Sequence, residues 1–375
     1  MTSAHRIPVS SPVLNGNELA YVSECIESSW VSSTGKFIGA FEQMFATFTG
    51  AQHAVGTNNG TTALHLALTA LDIGPGDEVI VPTLTYIASA NSVRYCGATP
   101  VFVDVDQETL NIDPEAVRAK ITSRTRAIMP VHLYGHPADM DPLTAAASTV
   151  GAYVVEDAAE AHGATYRGRP VGGLGHCATF SFYGNKIITT GEGGAVTTND
   201  AALNARLRLL RGQGMDPDRR YWFPVVGFNY RMTNVAAALG LAQLEQVSTF
   251  LAARRRLFQA YCEHLSNEDL VVLPPSKPWA EPVNWLFTVR VQDAAIDRDL
   301  VMSALEADGI ETRPVFYPLH LLPPYAEPMG SYPIAERIGR SGISLPTHLK
   351  MDLGDVERVC SRLVTHLHSA AVRSR

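Results

Sequence analysis

Residues 78–105 read E-V-I-V-P-T-L-T-Y-I-A-S-A-N-S-V-R-Y-C-G-A-T-P-V-F-V-D-V. Two short β-rich runs, Glu78–Pro82 and Thr99–Val105, stand in it, and neither alternates strictly between apolar and polar. That continuity marks strands covered on both faces. Similar runs recur at Arg126–Leu133, Tyr153–Glu156, Ala178–Phe182 and Gly194–Thr198. Helix signals fall between several of them. Thr61–Leu71 sets Leu64, Ala67, Leu68 and Leu71 on one face, and Asp113-Pro114 and Asp141-Pro142 each place an N-cap before a proline at the first helical position. Buried strands separated by helices predict an α/β fold with a mostly parallel sheet between helices. After Thr233 one long helix is expected from Asn234 to about Leu265, stopped by the breaker-rich stretch 273–278. A smaller α+β part follows, with a strand at Trp285–Val291, a helix opening near Asp297, a strand near Glu311–Val315 and a final helix after Asp352. The reading divides the chain into a large domain, 1–250, and a small C-terminal domain, 251–375.

Composition narrows the functional classes. The chain has 375 residues, 46% hydrophobic and 18% charged, which excludes intrinsic disorder. Thirty Lys and Arg against 37 Asp and Glu give a net charge of −7, the wrong balance for an electrostatic nucleic-acid binder. The five cysteines lie far apart and never form C-x-x-C, so buried thiols in a reducing compartment are expected rather than disulfides or zinc. The first residues lack the charged-then-apolar pattern of a secretion signal, and a cytoplasmic location is expected.

Three segments near predicted strand ends carry the chemistry, which is where open α/β sheets bind ligands. In T-N-N-G-T-T-A-L, residues 57–64, a turn at Gly60 feeds a helix whose first amides and hydroxyls, Thr61 and Thr62, suit a phosphate. In Y-V-V-E-D-A-A-E-A-H-G, residues 153–163, an acidic pair ends an apolar strand. An ionised Asp157 there needs a cation, such as a protonated pyridine nitrogen, and Glu160 can face the same ligand. His162 reads as structural. In T-F-S-F-Y-G-N-K-I-I-T-T-G-E-G-G, residues 179–194, Lys186 is the one lysine between Lys120 and Lys277. Set among small or uncharged neighbours, such a lysine can lose its proton, attack an aldehyde and hold it as a Schiff base. Ser181 offers a phosphate donor. Together these features describe a site for pyridoxal 5'-phosphate.

The order of these motifs, with V-P-T-L-T-Y-I-A-S-A-N (81–91) and G-F-N-Y-R-M-T-N (227–234), resembles the sugar-nucleotide aminotransferases of the aspartate aminotransferase superfamily, the fold type I pyridoxal phosphate enzymes. The similarity runs from about Ile7 to the last helix. H-L-Y-G-H-P-A-D-M-D (132–141), R-R-Y-W-F-P-V-V-G (219–227) and E-T-R-P-V-F-Y-P-L-H (311–320) further resemble the members that aminate C4 of GDP-4-keto-6-deoxymannose with L-glutamate to give GDP-perosamine. The resemblance implies that Lys186 binds the cofactor covalently and carries a proton. It implies that Asp157 faces the ring nitrogen, Glu160 the 3' oxygen and Tyr86 the ring. Gly60, Thr61, Thr62 and Ser181 are then expected to hold the phosphate, and Asn229 to reach the phosphate of a neighbouring subunit in a homodimer. Arg231, Arg313, Tyr317, His320 and Tyr325 are substrate-contact candidates in matching motifs. Related sugar dehydratases carry His where Lys186 stands, so the lysine favours transamination.

Three rivals remain at this level: amination of C3 instead of C4, a nicotinamide oxidoreductase, and a pyridoxal-phosphate-binding regulator without catalysis. No G-x-G-x-x-G opens a first βα unit, which counts against the oxidoreductase.

Overall fold

The computed structural model describes residues 5–373. A seven-stranded sheet runs, from one edge, His53–Thr57, Gly194–Thr198, Cys177–Ser181, Tyr153–Asp157, Thr125–Ile128, Glu78–Pro82 and Thr99–Val103. Gly194–Thr198 is antiparallel to both neighbours, and every other pairing in the sheet is parallel. The expected α/β class with a mostly parallel sheet therefore holds. Alternate residues of one strand feed two different cores, as a period of two requires. Val79 and Val81 join Leu66, Leu68 and Leu207 on one face, while Ile80 joins Val117, Leu143 and Val154 on the other. Phe41, Phe45, Phe180 and Phe182 fill a further cluster with edge-to-face ring contacts.

The N-cap expected at Asp113 forms, accepting from Glu115 N at 2.9 Å, and the helix expected near Asp297 opens there, with Asp297 accepting from Asp299 N at 2.9 Å. At Asp141 the structure corrects the reading. The helix starts at Met140 with Asp139 in the cap position, because Asp139 accepts from the Tyr166 hydroxyl at 2.6 Å and Asp141 pairs with Arg167. The run Arg126–Leu133 is a shorter strand, Thr125–Ile128, followed by a 3-10 turn at Leu133–Gly135.

The long helix after Thr233 is two helices, Asn234–Glu245 and Val247–Leu265, bent by 61°. Each half serves a different core. The first packs beside Glu18–Glu27 and Lys36–Thr49, whereas Leu257, Tyr261 and Leu265 of the second enter the C-terminal core with the helix Leu353–Arg373. That core backs an antiparallel sheet ordered Val271–Val272, Phe287–Val291, Gly342–Leu345, Arg313–Pro314. Ile7, from the start of the chain, pairs with Ile310 and packs in the same core. Among the described residues no single helix is long and apolar enough to cross a membrane.

Candidate active site

The site grows from the carboxyl ends of two adjacent parallel strands, paired at Asp157 and Thr179. Glu156 and Asp157 are neighbours on one strand and so point to opposite faces. Glu156 is wholly buried and accepts from Leu174 N and Gly175 N at 2.8 Å and Gly172 N at 3.2 Å. His132 Nε2 lies 3.1 Å from the same carboxylate. This cluster ties the strand end to the loop that follows it.

Asp157 turns the other way. Its carboxylate accepts from Ser89 Oγ at 2.7 Å and from Ala159 N at 3.2 Å. Burial pushes its pKa up, and the Ser89 bond is the strongest effect holding it down. Among the described residues no cationic side chain makes an ion pair with Asp157, so its negative charge is available to a ligand.

Lys186 sits in an excursion, residues 182–193, that closes on itself. Phe182 N donates to Gly193 O at 2.8 Å and Thr190 N to Phe182 O at 2.9 Å, while Ile187 and Ile188 anchor the loop in the core. The ammonium, on a side chain only 11% exposed, lies 3.5 Å from Glu160 Oε1 and 3.9 Å from the centroid of the Trp285 ring. Trp285 is fixed there by donating Nε1–H to Asn185 O at 2.7 Å. Burial pulls the pKa of Lys186 down from 10.5, with Glu160 and then Asp157 opposing. Glu160 is itself pushed up by burial and restrained by Lys186. Its other oxygen accepts from Tyr134 N at 2.8 Å. That amide is aimed by an unusual turn in which Tyr134 has φ +52 and Gly135 φ +90. A Cβ at position 135 would meet Val283 Cγ2 at 2.8 Å, so the turn needs glycine.

The helix Gly60–Ala70 points its start at the same region. Asn59 caps it by accepting from Thr62 N at 2.9 Å, and the amides of Gly60 and Thr61 have no partner within the helix. A Cβ on Gly60 would lie 2.8 Å from Ser181 Cβ, so the helix end and Ser181 abut. The Thr62 hydroxyl donates to Asn58 Oδ1 at 2.6 Å.

The remaining candidates divide. Tyr86 is exposed, with its ring 5.8 Å from Phe316, which stacks in turn on Tyr134. Arg313 is exposed and close enough for its charge to help depress Lys186. Asn229 and Arg231 lie on a segment that pairs with Gly212 and Thr57, and Arg231 donates to Asn229 Oδ1 at 3.3 Å. Tyr317 is exposed, and the Tyr325 hydroxyl donates to Asn91 Oδ1 at 2.7 Å. His320 departs from expectation. Its ring is fully buried, with Nδ1 2.7 Å from Thr83 Oγ1 and Nε2 3.1 Å from Glu336, leaving no nitrogen for a substrate. His162 is packed among Phe45, Phe180 and Phe182, and burial brings its pKa down to about 3, so the ring is neutral. Sequence reasoning missed Ser89, Trp285 and Tyr134 as members of the site. Ser89 and Tyr134 lay in quoted motifs, 81–91 and 132–141, but none of the three carried a charge to betray it.

The donor set suits pyridoxal phosphate. The group calls for a lysine able to shed its proton, an anion without a protein cation, and open amides at a helix start crowded enough to demand glycine. Lys186, Asp157 and the Gly60 turn meet those demands. Fold and site together define a class: an α/β protein with a buried lysine beside two carboxylates at the carboxyl ends of its parallel strands.

The chain belongs to the DegT/DnrJ/EryC1/StrS aminotransferase family, which it matches over residues 12–364. It is 57% identical to GDP-perosamine synthase of Caulobacter vibrioides over 366 residues, covering 97% of this chain and 99% of that protein. Among solved structures, S. venezuelae DesV in complex with a ketimine intermediate superposes with TM-score 0.89 at 41% identity, covering 94% of both chains. The PLP-form of the Streptococcus pneumoniae protein Spr1654 gives TM-score 0.93 at 29% identity, covering 98% of this chain and all of that one.

Proposed function

We propose that this chain moves the amino group of L-glutamate to C4 of GDP-4-keto-6-deoxymannose, giving GDP-perosamine. The similarity to the Caulobacter GDP-perosamine synthase over nearly both whole lengths supports the sugar assignment. The observation that carries the chemistry is the Lys186 ammonium, buried and depressed in pKa, facing Glu160 at 3.5 Å.

Pyridoxal 5'-phosphate, when bound, supplies an aldehyde and an electron-withdrawing ring. Lys186, Asp157, Glu160, Tyr86, Gly60, Thr61, Thr62 and Ser181 are the residues proposed to hold it. Burial lowers the pKa of Lys186 Nζ, so it gives up its proton more readily, after which it is a base able to take a proton from the amino donor and return one to the acceptor. A positioned base of this kind contributes roughly 10²–10⁴-fold in rate. Ser89 favours the ionised form of Asp157 against burial, and burial raises the pKa of Glu160 while Lys186 beside it holds it down. Arg313 and Arg231 present guanidinium groups suited to a carboxylate or a diphosphate. Asn229 is proposed to reach the phosphate site of a second copy, which makes a homodimer the working unit. The handover of the long helical stretch from one core to another supports a division of the chain near residue 250. The scattered cysteines are the reason for placing the reaction in the cytoplasm.

The test is mass spectrometry of products from purified protein, glutamate and a panel of 3-keto and 4-keto GDP and dTDP sugars. A 4-amino GDP sugar is expected from wild type and none from Lys186→Ala, which should also lose the visible absorbance of the bound cofactor. An active Lys186→Ala variant overturns the chemistry, and conversion of a dTDP sugar alone overturns the GDP assignment.

A further inference from the structure

A cavity of about 1030 Å³ opens away from the lysine site, and none of the residues placed around Lys186 lines it. It lies where the C-terminal sheet meets the loop that follows strand Thr99–Val103. Strand alternation builds one wall. Phe287, Val289 and Val291 enter the C-terminal core, so Arg290 between them faces outward into the cavity. The helix Pro333–Ser341 supplies Arg337 and Arg340, one turn apart on the same face. Two amides of that helix, Ile334 N and Ala335 N, bond to Asp104 at 3.0 and 2.8 Å, which fixes it against the large sheet.

The charges do not balance. Lys277 is paired with Glu108, but Arg290 and Arg337 reach only Gln107, by its carbonyl at 2.9 Å and its side-chain oxygen at 3.1 Å. Among the described residues none of the three arginines makes an ion pair. Asp293 is the one remaining carboxylate of the wall, and it is used to cap Ala295 N at 2.9 Å. Four cations thus face two carboxylates, in a chain whose net charge is −7. Arg290 is half-buried, and burial and then the neighbouring Arg337 disfavour its charge, with Asp106 only partly opposing them. Convergent guanidiniums of this kind are neutralised best by an anion offering several oxygens, and arginine meets phosphate oxygens two at a time. The volume far exceeds that of a single phosphate and matches the range of small-molecule sites. Val272, Ile296 and Ile338 add apolar surface against which a ring can lie.

We propose that this cavity binds the diphosphate of a nucleotide or nucleotide-linked sugar, as a second ligand site distinct from the one at Lys186. The site draws its walls from the C-terminal sheet, the helix Pro333–Ser341 and the loop after strand Thr99–Val103, so an occupant touches all three.

The experiment is equilibrium dialysis of the holoenzyme against labelled GDP, GDP-mannose and inorganic pyrophosphate, comparing wild type with the double variant Arg337→Ala/Arg340→Ala. Both positions are exposed, and Arg290→Lys serves as a second variant that keeps charge but loses the two-pronged contact. Wild type is expected to show a salt-sensitive binding class that weakens about tenfold or more in the double variant, with cofactor absorbance and KM for glutamate unchanged. Binding of pyrophosphate as well as GDP assigns recognition to the diphosphate, whereas binding of GDP-mannose alone assigns it to a nucleotide sugar. Identical isotherms for wild type and both variants overturn the proposal. A parallel rise in KM for the keto sugar nucleotide also overturns it, because the cavity would then be part of the substrate site.

Discussion

Replacing Ser89 by Ala removes the hydroxyl that donates to Asp157 and that also lies 3.1 Å from the buried Thr85 Oγ1, which makes it a probe of how the Asp157 charge is held. Ser89 Oγ donates to Asp157 Oδ2 at 2.7 Å in a fully buried setting, and among the described residues the other donor to that carboxylate is Ala159 N at 3.2 Å. A hydrogen bond to a charged group is worth about 1.5–3 kcal/mol. Its loss raises the pKa of Asp157 further, because burial is then opposed by less. The sign on stability follows from the direction. Asp157 is already raised above its ordinary 3.8, so its contribution to stability is greatest at low pH, where folded and unfolded states are both protonated. That contribution falls as pH rises through the folded pKa, and the variant falls further. Urea unfolding of the cofactor-free protein is therefore expected to show Ser89→Ala less stable by about 1.5–3 kcal/mol at pH 8, with the gap closing toward pH 4. In the holoenzyme, single-turnover reaction with glutamate should show its acid limb moved upward, with Ser89→Thr restoring part of the shift. An acid limb that stays in place in Ser89→Ala would refute the claim that this hydroxyl sets the charge of Asp157.

Two further outcomes concern the frame of the site. Glu156→Ala strips the partner from three backbone amides and from His132 in a dry interior, and should cost about 3 kcal/mol or more by urea unfolding; a loss below 1 kcal/mol would deny it a structural role. Asp308 is held down to about 2, first by its hydrogen bonds from Arg362 and then, against burial, by His366. Its stabilisation is present above pH 3.8 and is lost as pH falls through about 2, so Asp308→Asn should cost about 1 kcal/mol at pH 7 after solvent screening, with the difference from wild type shrinking in thermal melts as pH is lowered toward 2.

Why some of this was legible in the sequence and some was not comes down to range. The strands Glu78–Pro82 and Gly194–Thr198 were read to the residue because burial on both faces writes itself into consecutive apolar positions. The edge strand His53–Thr57 escaped because H-A-V-G-T mixes a histidine and a glycine into so short a run. The bend at Gln246 also escaped, since both flanking segments favour helix and only the change of packing partner parts them. Asp157 and Lys186 stood out because a charge at the end of an apolar strand, or alone among small residues, is costly and so informative.

The residues that tune those charges announce nothing locally. Ser89 reaches Asp157 across 68 positions, and Trp285 braces the Lys186 loop across 100. His320 shows the converse. It lies in a motif rich in substrate candidates, yet Thr83, 237 positions away, and Glu336 occupy its ring. Reactive groups can therefore be read from composition and order, because their cost is paid where they stand. Their protonation states cannot, because each is fixed by neutral neighbours brought in from distant segments, and a neutral serine or tryptophan is inexpensive anywhere in a chain. It follows that variants at Ser89, Trp285 and Tyr134 should change the pH dependence of this site while leaving its list of ionisable groups intact, a separation that no inspection of the motifs around Asp157 and Lys186 would foretell.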